Sequence, residues 1–189
     1  MKQTKEETKK VFRASCLRQL EKASGMGNYP KDKKIVALLH RIIVQRQAKQ
    51  VMVYLPLKNE ANLYPLIMRL RKEKRVLYVP FMEGASFRLV KYRLPLKTKK
   101  FGIKEPYNSK QFRKKTIDVA IVPMVGTDET HRRVGFGKGM YDRFFEKQGN
   151  TIKYTVFVAR HLCYSPTIVT DDHDVKADMI ITAQPFLQR

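Results

Sequence analysis

The segment Gly135-Phe136-Gly137-Lys138-Gly139-Met140-Tyr141-Asp142-Arg143 constrains this chain more than any other. Three glycines at alternate positions free the backbone to adopt φ > 0 and to bring its N–H groups close to a ligand, with Lys138 between them as a point charge. Upstream, Asp118 to Met124 is a nearly continuous apolar run of the kind buried at the centre of a parallel sheet. Downstream, Met140 to Gln148 contains no helix breaker and puts Tyr141, Phe144 and Phe145 on one face. A strand, a glycine loop and a helix in that order aim the helix N-terminus at whatever the loop holds, and ligands of open α/β sheets bind outside the carboxyl ends of strands. Arg133 and Asp142 flank the loop, so the segment offers two cations and one carboxylate able to hold Mg²⁺, a set suited to a nucleoside triphosphate. It is neither a P-loop nor the dinucleotide fingerprint, which would need glycine where Met140 stands. The competing reading is a glycine-rich turn with Lys138 and Arg133 solvated.

The remaining pattern is that of an α/β protein, and at 189 residues a single domain spanning 1–189 is expected. A first helix is predicted from Thr4 to Lys22, stopped by Gly25 and Gly27. Phe12, Cys16 and Leu20 form its inward stripe, and the same stripe reaches Arg13 and Lys9, which must either snorkel to solvent or meet an anion. A second helix, Lys31 to Gln47, carries Ile35, Leu38, Leu39, Ile42 and Ile43 on a buried face. A strand at Val51 to Leu55 ends at Pro56, a helix follows with Leu63, Leu66, Ile67 and Leu70 inward, and a strand at Val76 to Val79 stops at Pro80; a right-handed crossover makes these two strands parallel. Phe87 to Tyr92 alternates like a half-exposed strand, and Leu96 to Lys115 reads as a long basic loop. Further strands are predicted at Ile152 to Ala159 and Asp178 to Thr182. Asp171-Asp172-His173-Asp174 looks like a set of metal ligands, but consecutive loop residues seldom face one ion, and acids beside a turn more often bond backbone.

Charge separates the functional classes. With 39 Lys and Arg against 17 Asp and Glu, the formal net charge is +22, a surface that attracts nucleic acid, acidic lipid or small polyanions. No signal peptide and no apolar run of membrane-spanning length occurs, so a cytoplasmic protein with no membrane partner is expected. Cys16 and Cys163 lie far apart and outside metal-type spacing, and are read as reduced core thiols.

The motifs in order are Lys9 and Arg13 on the first helix, Tyr54-Leu55-Pro56 with Glu60, Phe101-Gly102-Ile103-Lys104-Glu105-Pro106, Asp118-Val119-Ala120-Ile121-Val122-Pro123, then Arg133 through Arg143, and His173-Asp174. This series resembles the 5-formyltetrahydrofolate cyclo-ligase family, also called 5,10-methenyltetrahydrofolate synthetases, from Lys9 to Thr182. The resemblance implies a three-layer α/β fold with a mostly parallel central sheet flanked by helices. It also implies closure of 5-formyltetrahydrofolate, possessing one or several glutamates, to 5,10-methenyltetrahydrofolate, with Mg²⁺ and ATP yielding ADP and phosphate. Lys9, Arg13, Arg133 and Lys138 would then bind the ATP phosphates beside the backbone of Gly135, Gly137 and Gly139. Asp142 would ligate Mg²⁺, Tyr141 would line the junction of nucleotide and folate, Glu60 would contact the pterin, and Tyr54 and Phe101 would pack on the folate rings. Lys138, Arg133, Tyr141 and Asp142 are the implied catalytic residues. The chain departs from the family pattern at Phe81, Thr127, His131 and Met140.

Two other readings stand beside this one: a homologue that keeps only the nucleotide loop, and a basic nucleic-acid-binding protein. Against the second, no cluster alternates exposed aromatics with Lys or Arg as a stacking platform needs, so no nucleic-acid partner is expected.

Overall fold

A computed structural model describes residues 4–22, 27–99, 102–107 and 116–184. Helix α1 (Lys5–Lys22) and helix α2 (Asn28–Gln45) precede strand β1 (Gln50–Met52), helix α3 (Tyr64–Lys72), strand β2 (Val76–Glu83) and strand β3 (Ser86–Lys91). The central part contains β4 (Leu96–Thr98), β5 (Lys104–Pro106), β6 (Val119–Pro123), β7 (Gly126–Asp128) and β8 (Arg133–Val134). Helix α4 (Met140–Gln148), β9 (Thr155–Ala159), β10 (Tyr164–Ser165) and β11 (Met179–Thr182) complete it.

Six strands form one sheet in the order β11-β9-β6-β1-β2-β3, parallel except where β3 returns antiparallel to β2. The alternation of side chains along the strands divides the apolar residues between two faces. Val51, Val119 and Ile121 face the layer of α2 and α3, where Ile35, Leu39, Ile43, Leu66, Ile67 and Leu70 are buried. Met52, Ala120 and Val122 face the other way, onto Phe144 of α4. Each large side chain so buried contributes about 1.5–3 kcal/mol, so the two helical layers are held by packing rather than by intrinsic helix propensity. The expected three-layer arrangement is therefore the one observed, and α4 begins at Met140, where the glycine loop ends.

Several expectations are corrected. Pro80 does not end β2. Pairing with β1 stops at Tyr78, but the strand runs on through Pro80 against β3 to Glu83. Proline lacks the N–H that a further rung to β1 would need, so it terminates one ladder and leaves the other intact. Strand β1 is shorter than Val51 to Leu55, although Val53, Tyr54 and Leu55 remain buried beyond it. The stretch read as a basic loop contains the antiparallel pair β4–β5, pinned to β2 where the Glu105 carboxylate accepts a 2.7 Å bond from the Met82 N–H.

The cysteines are not reduced thiols: Cys16 of α1 and Cys163, after β9, form a disulfide with Cα atoms 5.6 Å apart. Cys16 lies on the inward stripe of α1 and meets Cys163 only because the fold brings β9's exit against that helix. A separation of 147 residues carries no such signal in sequence. The bond sits in a small cluster with Leu20 and Val125, and a methyl group on Gly126 would lie 3.0 Å from the Cys16 sulfur.

A second, three-stranded sheet, β10-β7-β8, has strands too short to show periodicity in sequence. Asp128 organises it. Its carboxylate accepts bonds from Thr130 N–H (3.0 Å) and hydroxyl (2.6 Å), from Val169 N–H (2.9 Å), and from Thr170 N–H (2.8 Å) and hydroxyl (2.6 Å). Burial alone would raise its pKa, but these donors outweigh it and hold the group at about 2.

A tether across 147 residues should restrict the unfolded chain strongly. Replacing both cysteines (Cys16→Ser with Cys163→Ser) is expected to cost about 2–5 kcal/mol in urea unfolding. An unchanged midpoint would show that the tether constrains nothing.

Candidate functional site

The glycine loop lies where β6 and β8 hand the chain to α4, and each glycine answers a different requirement. Gly137 (φ +88°) and Gly139 (φ +59°) occupy the left-handed region that disfavours a side chain. Gly135 does not. There the reason is space, because a Cβ would lie 2.3 Å from Nη1 of Arg133, whose side chain folds across the Gly135 backbone.

Arg133 is buried on β8, with its Nε donating 2.8 Å to the Pro123 carbonyl at the end of β6. Its guanidinium stands 4.7 Å from the centre of the Tyr141 ring and 4.0 Å from a carboxylate oxygen of Asp142. Burial presses its pKa down, opposed first by Asp142 and then by Tyr141, Glu60 and Asp174. Arg13 approaches from α1 and donates its Nε to the Gly135 carbonyl at 3.0 Å. Lys138 is exposed at the loop's tip. These three cations therefore surround the loop from three elements.

Lys9 has a different neighbourhood. It neither snorkels nor points to solvent: its ammonium bonds Asp171 at 2.9 Å and makes a short bond to Asp174. Burial opposes the charge, but the hydrogen bonds it donates to Asp174 and Asp171 leave its pKa raised. Asp174 also accepts from the Asp171 N–H at 2.7 Å, the backbone role expected for this acidic run. The ligand atoms of Asp171, His173 and Asp174 lie within 4.8 Å of one another, with the Lys9 ammonium bonded to two of them.

Asp142 sits in the first turn of α4, and its Oδ1 is buried with no hydrogen-bond partner among the described residues. A buried carboxylate oxygen of this kind is costly unless a cation or donor completes it, so this residue fits a hard divalent ion.

The loop forms one end of a cavity of about 890 Å³. Arg133, Lys138, Gly139 and Tyr141 line that end, and the rest of the wall is largely apolar, with Leu55, Leu57, Phe81, Met82, Phe87 and Met140. Glu60 lies among these groups, its Oε2 accepting a 2.8 Å bond from the Leu57 N–H. Burial lifts the Glu60 pKa to about 7 against the pull of the Leu57 bond, Arg133 and Arg160. Tyr54 lines the cavity with its ring, while its hydroxyl is committed to the Ala61 carbonyl at 3.1 Å. Burial, then the nearby Glu60, raises the pKa of Tyr141, whose ring packs edge-on against Phe87 at 4.9 Å. Phe101 lies outside the described residues.

Of the residues singled out in the sequence, the structure brings Tyr54, Glu60, Arg133, Lys138, Gly139 and Tyr141 to one cavity and sets Arg13, Gly135, Gly137 and Asp142 around its cationic end. Lys9 joins them only through the 171–174 turn. Sequence reasoning assigned no role to Lys99, Ile103 and Lys104, which the β4–β5 pair contributes to the wall, or to Arg143, although Ile103, Lys104 and Arg143 stand within its motifs. The turn between two short basic strands is a pattern that could have suggested the former.

A family model described as the 5-formyltetrahydrofolate cyclo-ligase family matches residues 5–183. The 5-formyltetrahydrofolate cyclo-ligase of Haemophilus influenzae is 27% identical over 141 residues, covering 71% of this chain and 75% of that protein. The mouse (Mus musculus) protein of the same name is 24% identical over 161 residues, covering 76% and 79%. Among solved structures, the 5,10-methenyltetrahydrofolate synthetase of Aquifex aeolicus superposes with a TM-score of 0.73 at 27% identity, over 94% of this chain and 90% of that one. That of Mycoplasma pneumoniae gives a TM-score of 0.71 at 22% identity, over 93% and 99%, a likeness of fold. With a match that runs from α1 to the end of β11, this chain belongs to the 5-formyltetrahydrofolate cyclo-ligase family.

Proposed function

We propose that this protein converts 5-formyltetrahydrofolate to 5,10-methenyltetrahydrofolate, with ATP going to ADP and phosphate. The observation that carries the reading is the composition of the cavity beside the glycine loop. A cationic glycine loop forms one end, and a long, largely apolar wall that includes the Glu60 carboxyl forms the other. A triphosphate and a flat heteroaromatic substrate meet there.

In this reading, Arg133, Arg13, Lys138 and the N–H groups of Gly135, Gly137 and Gly139 bind the phosphates. Lys9, bonded to two carboxylates, has one N–H left for a phosphate oxygen. Asp142 holds Mg²⁺, which supplies neutralisation of phosphate charge when bound. Leu57, Phe81 and the rings of Tyr54 and Tyr141 enclose the pterin, and Glu60 accepts hydrogen bonds from its N–H edge.

The chemistry follows from what such a site can do. A formamide oxygen is a poor leaving group, so it attacks the γ-phosphorus, the new O–P bond forms, and the bond to ADP breaks. The phosphorylated formyl carbon, doubly bonded to N5, is an electrophile. N10 attacks it, the five-membered ring closes, N10 gives up its proton, and phosphate leaves with the C–O bonding pair. Positioning and charge neutralisation do most of this work, so fixed cations matter more than a general base. Both substrates are polyanions, and the chain's charge of +22 favours their approach.

Formation of the methenyl product, followed by its near-ultraviolet absorbance after mixing protein, 5-formyltetrahydrofolate and MgATP, is expected to require ATP. Lys138→Ala should lower kcat/KM for ATP by about tenfold or more with an unchanged Tm, because the removed side chain is exposed and acts on charge alone. Unaltered ATP kinetics in that variant would remove the loop from the mechanism.

Glu60 gives a prediction with a definite sign. Its folded pKa of about 7 lies above the ordinary 4.5, so the folded chain holds the extra proton between those values and stability falls as pH rises across that window. In the free enzyme the carboxyl must ionise to accept bonds from the pterin, so kcat/KM for the folate should rise through about pH 7. Glu60→Gln should abolish that rise and flatten the stability profile between pH 4.5 and 7; a variant with the wild-type profile would contradict the assignment.

A further inference from the structure

Arg143 ties together two segments that both line the cavity. One is the turn between β2 and β3, where Gly84 and Ala85 form part of the wall. The other is the glycine loop at Lys138 and Gly139, which lines the cavity as well. The Arg143 guanidinium donates from Nε to the Ala85 carbonyl at 2.9 Å, makes a second, short bond to the same carbonyl from Nη2, and donates from Nη2 to the Lys138 carbonyl. A planar fork of five donors suits this task, since it can serve two backbone acceptors in one plane without a third group to orient it.

Two independent features agree with that arrangement. Gly139 has φ +59°, and a Cβ there would lie 2.8 Å from Nη1 of Arg143, so the glycine is required both by backbone conformation and by the space the guanidinium occupies. Beside it, Ser86 donates its hydroxyl to the Met140 carbonyl at 3.2 Å, docking the same hairpin onto the first turn of α4. Arg143 is half-buried in α4, next in sequence to the buried Phe144.

We infer that Arg143 is a positioning residue that clasps the phosphate-binding loop to the β2–β3 turn, so that the two halves of the cavity keep a fixed separation while both substrates are bound. The inference rests on the reading proposed above, that the loop end takes the triphosphate and the apolar wall takes the folate. In that reading the formyl oxygen must lie in line with the γ-phosphorus, and the alignment depends on two walls that come from chain segments about fifty residues apart, Ala85 and Lys138. Arg143 acts on the reacting atoms only through those backbone segments. Neither Glu60 nor the guanidinium groups of Arg133 and Arg13 depend on it for their own bonds, which go to Leu57, Pro123 and Gly135.

The test uses the full chain as wild type, Arg143→Gln and Arg143→Lys, with two measurements. Amide hydrogen exchange over 84–86 and 135–139 is expected to speed by about tenfold or more in the Gln variant at both segments together, since release of either end frees the other. In steady state, kcat should fall by about 10- to 100-fold while KM for each substrate stays within about threefold, the split expected for lost alignment rather than lost binding. Arg143→Lys, which keeps the charge and can serve one carbonyl at a time, should recover part of the kcat. A merely structural role would lower Tm and the active fraction without this split or this rescue. Unchanged exchange at the β2–β3 turn, or a kcat within about twofold of wild type in the Gln variant, would overturn the clasp. A wild-type protein that makes no methenyl product would instead overturn the proposed function, and the clasp would then be judged by the exchange measurement alone.

Discussion

The buried guanidinium of Arg133 is the constraint around which the rest of the site is arranged. A charge taken out of water must be met by fixed partners, and here those partners come from three separate elements. The end of β6 supplies the Pro123 carbonyl, α4 supplies the Tyr141 ring and the Asp142 carboxylate, and the loop supplies Gly135, whose missing side chain leaves the path open. The result is a cation held rigid before any ligand arrives. Preorganised charge of that kind does not have to be reoriented when a transferring phosphoryl group develops negative charge beside it.

The same arrangement explains the division of the cavity. The Arg133 and Arg13 guanidinium groups are anchored to the Pro123 and Gly135 carbonyls, and Leu55, Leu57, Phe81, Phe87 and Met140 supply the apolar part of the wall. Glu60, set beside them, feels that apolar surrounding as a pKa near 7. Two of the four departures from the family pattern, Phe81 and Met140, fall on this wall. The other two belong to the β7–β8 hairpin, Thr127 in β7 and His131 in the turn. His131 there adopts φ +58°, a conformation in which glycine would be unstrained, and Thr127 bonds the Arg132 carbonyl at 2.8 Å. These departures therefore alter the cavity's surface and a supporting turn, and leave the cations around the loop in place.

Much of this was legible in the sequence, and the reasons differ by element. Helix α4 was readable to the residue because a glycine and a continuous run of helix-compatible residues mark its ends. The apolar stripes of α2 and α3 and the buried run of β6 follow from periodicity, which survives without tertiary context. What was not legible depends on contacts between distant residues. Asp128 is held by Thr170, forty-two positions on, and the strands it organises are two or three residues long, too short to carry a period. The stripe of α1 announced inward-facing Lys9 and Arg13 but not that one would meet Asp171 and Asp174 while the other met a carbonyl. The disulfide was hidden for the same reason, since nothing local to Cys16 or Cys163 records the other.

The most direct test of the account is the stoichiometry of ADP formed to methenyl product formed by the purified protein. If the triphosphate and the folate react across one cavity, each ring closure releases one ADP, and ADP formation is negligible when 5-formyltetrahydrofolate is omitted. Steady ADP release without the folate, or methenyl product without ATP, would mean that the glycine loop and the apolar wall do not serve one reaction.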